Sequence, residues 1–119
     1  MELFDIGANL GHESFDHDLP DVLARAREAG VSRIVVTGAS REGSAKALQL
    51  AQAQPGFLYA SAGVHPHHAL EYTEECDLEM RGLHRHAEVL AVGECGLDYF
   101  RDLAARPAQR KAFERQLQL

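Results

Sequence analysis

The sequence predicts an α/β fold in which four parallel strands alternate with four helices, a (βα)4 arrangement with half the units of an eight-unit barrel. Three observations lead there. Four short apolar runs end at Gly7, Gly38, Gly63 and Gly93, at intervals of 31, 25 and 30 residues. Each interval is about one strand plus one crossover helix. The segments between the runs carry apolar residues at helical spacing. Residues able to do chemistry gather just past the runs, the end at which parallel sheets keep their sites.

The first strand is Leu3-Phe4-Asp5-Ile6, closing at Gly7. Leu19, Val22, Leu23 and Ala26 then fall at i, i+3, i+4 and i+7, the stripe of an amphipathic helix, with Gly30 placed to end it. Ile34-Val35-Val36-Thr37 is the second strand, closing at Gly38. Ser40 is a candidate N-cap for a second helix that turns Ser44, Ala47, Leu48 and Ala51 inward before Pro55 stops it. The third strand runs from Phe57 to Ala62. Thr73 can cap a third helix, with Glu74, Glu75 and Asp77 near its positive end and Cys76, Met80 and Leu83 inward. Val89 to Val92 is the fourth strand. A last helix begins near Pro107 with Phe113 and Leu117 as its apolar pair. These stripes are read as core packing, and the alternation makes each helix a right-handed crossover between parallel strands.

Composition narrows the class. Hydrophobic residues make up 45% and charged residues 25%, the balance of a soluble globular protein. No apolar run approaches bilayer length, and the start MELFDIG lacks the features of a signal peptide, so no membrane partner is expected. Two cysteines, Cys76 and Cys95, fit a reduced, cytoplasmic setting. The net charge of −6 argues against a broad phosphate-gripping surface, yet bound divalent metal can supply positive charge locally. The sequence has no P-loop, no G-x-S-x-G elbow and no C-x-x-C.

Three strand ends hold the candidate site residues. Glu94, in GECGLDYF, follows the fourth strand, where a carboxylate can hold a metal ion; the plain alternative is a solvated loop glutamate. In VHPHH, Pro66 biases His65 toward extended backbone, so His65 can bind metal or act on a phosphate. His67 and His68 read as loop residues, and His12, His17, His84 and His86 as solvated surface. Asn9, after the first strand, can hydrogen-bond a substrate. Cys95 neighbours Glu94 but points the other way along an extended chain, toward the wall. Asp98 shares the motif and stays open as a further catalytic carboxylate.

FDIGANL, AGVHPHH and VGECGLDY, in this order and spacing, resemble the TatD-type family of metal-dependent DNases across essentially the whole chain. The resemblance implies a TIM barrel of the amidohydrolase-like kind that hydrolyses nucleic-acid phosphodiesters, including by 3′-to-5′ exonuclease action, with one or two divalent metals. Mg²⁺ is the expected ion, with Zn²⁺ or Mn²⁺ as alternatives. It implies that Glu94 is a metal ligand, that His65 is the active-site histidine after strand three, and that Asp98 is a weaker neighbour. Many members begin D-x-H-x-H; here Gly7 and Asn9 stand at the two histidine positions, which removes two metal ligands and leaves Asn9 a substrate-binding role. A TIM barrel needs roughly 250 residues. Residues 1–119 are therefore expected to be a single incomplete domain, the N-terminal half of such a barrel. Its open edges and face would be completed by self-association or by a missing C-terminal half. Two rival readings remain: a hydrolase of amide, ester or aminoacyl bonds on the same barrel, and a non-enzymatic half-barrel interaction module.

Overall fold

The computed structural model describes residues 1–119 and bears out the (βα)4 prediction. The elements are β1 (Leu3–Ala8), α1 (Leu19–Glu28), β2 (Val31–Val36), α2 (Arg41–Ala53), β3 (Leu58–Ala62), α3 (Glu74–Leu83), β4 (Val89–Val92) and α4 (Arg106–Gln116). Short 3₁₀ turns at Glu13–Phe15 and Pro66–Glu71 lie in the loops after β1 and β3. The four strands form one parallel sheet in the order β1-β2-β3-β4, so α1, α2 and α3 are crossovers between neighbours and α4 follows the last strand. No helix is long and apolar enough to cross a membrane.

Period-two alternation sends one side of each strand to the helices and the other to the concave face. Ile34 and Val36 of β2 and Leu58 and Ala60 of β3 are buried beneath α1 and α2, with Leu23, Ala47 and Ala51 against them. A second apolar cluster joins Ala62 and Val64 to Cys76 and Met80 of α3 and Ala112 of α4. The concave face is largely open: Phe4, Ile6 and Leu90 are 56, 84 and 58% exposed. Together with Arg33, Val35 and Tyr59 they line a cavity of about 390 Å³.

Two predicted caps form as expected. Ser40 Oγ accepts from Gly43 N at 2.9 Å, and Thr73 Oγ1 accepts from Cys76 N at 3.2 Å. The last helix differs from its prediction. Leu117 is 68% exposed and Phe113 only half-buried, while Gln109, Ala112 and Gln116 form the buried stripe. The reason is what α4 packs on. It lies against the 66–71 turn and loop segments, whose backbone groups are not paired in a sheet and need amide partners. Gln116 supplies them, accepting from Val64 N at 2.8 Å and donating to Val64 O at 3.1 Å.

Candidate active site

The ends of β2, β3 and β4 are laced through the main chain. Gly38 N donates to Ser61 Oγ at 3.1 Å, and Gly38 O accepts from Glu94 N. His65 N donates to Ala39 O at 2.8 Å, and Gly93 N to Ala62 O at 3.1 Å. Ser44 of α2 reaches over the top of β3, donating to Gly63 O and accepting from Gly63 N. Side chains are excluded here for a plain reason. A Cβ on Gly63 would lie 2.7 Å from Gly93 C, and one on Gly38 would lie 2.5 Å from Ser61 O. The strand-end glycines of the repeat thus allow neighbouring strand ends to touch, which fixes where residue 94 emerges.

Glu94 emerges into an open cleft lined also by Ile6, Gly7, Thr37, Ser61 and Gly93. Its carboxylate is 57% exposed, and Oε1 lies 3.6 Å from His65 Nε2. The structure therefore brings together two residues singled out from the sequence on different strand ends. His65 Nδ1 accepts the His67 backbone N–H at 3.0 Å, so a neutral ring carries its proton on Nε2, facing Glu94. Burial pushes the His65 pKa below the ordinary imidazole value, and the Glu94 charge opposes that shift only in part.

Neither His65 nor Asp98 lines this cleft; His65 meets it through Glu94, and Asp98 is turned elsewhere. Its Oδ2 accepts from His67 Nε2 at 2.7 Å, and its Oδ1 accepts from Arg101 N at 3.0 Å. The Arg101 N–H and then the His67 ring hold its carboxyl below the usual carboxylate range. His67, expected to be a plain loop residue, is thus paired, because the turn after Pro66 swings its ring onto the β4 loop. Its ring also meets that of His65 edge-on, with centroids 4.2 Å apart. His84, expected at the solvated surface, instead bonds Ala62 O through Nε2 at 2.9 Å. Asn9 is exposed just past β1, and that strand contributes only Ile6 and Gly7 to the cleft. Cys95 is half-buried with its thiol 3.9 Å from Val92 O, and burial, then the Glu94 charge, raises its pKa.

No three His, Cys, Asp or Glu side chains converge closely enough to hold a metal ion. Glu94 is the one carboxylate in the cleft lining, an oxygen donor of the kind hard divalent ions take. His65 has Nδ1 engaged and Nε2 protonated, so as arranged it is a donor of hydrogen bonds. The residues fit a divalent ion as part of a ligand set that this chain does not complete.

Sequence reading missed His67, Gln109 and Gln116. Gln109 and Gln116 fall with Ala112 at i, i+3, i+7, so a buried polar face was visible in the spacing. The His67–Asp98 contact joins residues 31 apart on separate loops and has no local signal.

Comparison with known proteins places these features. The family model described as TatD related DNase matches residues 4–119. A 3′-5′ ssDNA/RNA exonuclease TatD from Pantoea vagans is 48% identical over 117 residues, covering 98% of this chain and 45% of that protein. The protein of the same name from Edwardsiella piscicida is 47% identical with the same coverage. Among solved structures, the TatD homolog YJJV from Escherichia coli superposes with a TM-score of 0.86 at 32% identity, over 98% of this chain and 45% of that one. A TatD-family hydrolase from Entamoeba histolytica gives 0.81 at 27% identity, over 98% and 44%. The chain spans a little under half the length of these relatives, so its four βα units correspond to half of a TIM barrel. It belongs to the family of TatD-related DNases.

Proposed function

We propose that this chain carries the Glu94–His65 part of the active site of a metal-dependent hydrolase of nucleic-acid phosphodiesters, acting as a 3′-5′ exonuclease on single strands. The observation that carries it is the approach of His65 Nε2 to within 3.6 Å of Glu94 Oε1 at the carboxyl end of the sheet. Support comes from the names of its relatives.

A divalent ion, Mg²⁺ before Zn²⁺ or Mn²⁺, supplies positive charge for the phosphate and lowers the pKa of water when bound. Glu94 is the residue of this chain that would hold it. His65, whose pKa burial lowers, presents Nε2–H beside Glu94 and donates a hydrogen bond to a phosphoryl oxygen or to the departing oxygen. Asn9, exposed just past the carboxyl end of β1, offers an amide to the substrate. The acidic balance of the chain, −6, is consistent with a reaction whose counter-charge comes from an ion rather than from a basic surface.

The test is hydrolysis of 3′-labelled single-stranded DNA and RNA with Mg²⁺, comparing the chain with Glu94→Gln. With Glu94 as its one carboxylate in the cleft the 119-residue unit is expected to cleave weakly or not at all, and Glu94→Gln to remove what activity there is. Activity that survives Glu94→Gln unchanged refutes the assignment. Parallel assays on aminoacyl and ester substrates separate this reading from the rival hydrolase.

A further inference from the structure

Both carboxylate oxygens of Asp98 are already engaged within the protein. Oδ1 accepts the Arg101 backbone N–H, and Oδ2 accepts from His67 at 2.7 Å with Arg101 Nη1 at 3.4 Å. Its own backbone N–H donates to Gln109 Oε1 at 2.8 Å, and Gln109 Nε2 returns to Asp98 O at 3.3 Å and Ala104 O at 2.8 Å. Gln109 is only 1% exposed, so the carboxylate is anchored to the buried side of α4. From Asp98 the contacts continue in one direction. The His67 ring is pinned by its Nε2 proton, and this holds the turn at residues 66–68. That turn aims the His67 backbone N–H at His65 Nδ1, 3.0 Å away, while the His67 ring packs edge-on against His65.

We propose that Asp98 and His67 are a positioning pair: they do not meet substrate but dictate which ring nitrogen of His65 carries the proton and where it points. A lone pair at Nδ1 that is already taken leaves Nε2 as the only site for the proton of a neutral ring. That proton is the one directed at Glu94, which lines the cleft. The β4 loop thereby sets a side chain on the β3 loop through a second histidine, and the orientation of His65 is fixed before substrate arrives. The inference rests on the proposed role of His65 as hydrogen-bond donor to the phosphate. Its measurement needs neither substrate nor metal.

The experiment is nitrogen NMR of the full 119-residue chain with ¹⁵N-labelled histidine, at a pH where imidazoles are neutral. In the unsubstituted chain His65 is expected as a single Nε2–H tautomer, and the His67 Nε2 proton is expected to exchange slowly with water. Asp98→Ala should release the His67 proton to fast exchange and give His65 both tautomers. Asp98→Asn keeps an acceptor oxygen and should restore the original pattern. His67→Phe keeps ring volume and backbone N–H but cuts the link to Asp98, and should again give two tautomers. Arg101→Ala leaves the Asp98–His67 bond and should change nothing at His65. An Nδ1-protonated His65 in the unsubstituted chain overturns the proposal. So does a single Nε2–H tautomer in both Asp98→Ala and His67→Phe. If Asp98→Ala does not fold, His67→Phe decides alone. Failure of Glu94→Gln to affect hydrolysis would refute the nuclease reading while leaving this tautomer result intact.

Discussion

Removing the Gln116 amide should cost more stability than removing any apolar side chain of α4. Gln116 is 1% exposed, and its amide serves both backbone groups of Val64, itself 1% exposed. Gln116→Ala leaves that N–H and that C=O buried without partners, at about 1–3 kcal/mol each. The expected loss is therefore about 2–6 kcal/mol, before any contribution from the cavity. Gln116→Leu refills most of the space and restores neither bond, so it should recover only about 1 kcal/mol of that loss. Leu117→Ala, at an exposed position on the same turn, should stay within about 0.5 kcal/mol. The assay is urea unfolding followed by circular dichroism, with the midpoint shifting at constant slope. A loss under about 1 kcal/mol for Gln116→Ala, or a fully stable Gln116→Leu, would refute the view that α4 is docked by its amides.

Gly63→Ala should destabilise by roughly 1–3 kcal/mol, because its Cβ meets the Gly93 backbone at 2.7 Å; thermal unfolding checks this. The same substitution should reduce hydrolysis by displacing Glu94, whereas Gly82→Ala, with open space around it, should leave hydrolysis unchanged. Asp77 of α3 holds Tyr72 just before the helix, Arg81 one turn along it and Arg115 of α4. Burial favours its neutral form, but hydrogen bonds from these three groups prevail and lower its pKa. A depressed carboxylate pKa contributes stability that is complete above the unfolded value, about 3.9, and is lost as pH falls through the folded value. Unfolding measured from pH 7 down to pH 2 should show that loss, and Asp77→Asn should flatten this part of the profile while lowering stability at pH 7.

The strands, crossovers and caps were legible because each follows from local chemistry: a glycine every βα unit, Ser40 and Thr73 before helical stripes, Pro55 after one. Glu94 and His65 were legible as strand-end residues because the sheet end is where a parallel fold has free backbone and open space. Their approach to one another was not, since it depends on the contact of Gly63 with Gly93 and the bond from Glu94 N to Gly38 O. His67 lies in a loop as expected, but its pairing was hidden for a related reason. Its partner lies on another loop, and only the turn after Pro66 brings the ring there. On α4 the search for apolar residues overlooked that a helix facing loops is held best by side chains that mimic a neighbouring strand.

The placement of Glu94 has a consequence for altering this protein. Residue 94 is located by its own N–H on Gly38 and by the contact of two glycines, with its side chain projecting beyond them. Frame and functional group are therefore separable at this position. Aspartate, histidine or cysteine at 94 keep the backbone contacts that place the residue, so that differences in ion preference among such variants report the side chain, its reach as well as its donor atom. The mouth of the sheet behaves as a socket with an interchangeable fitting.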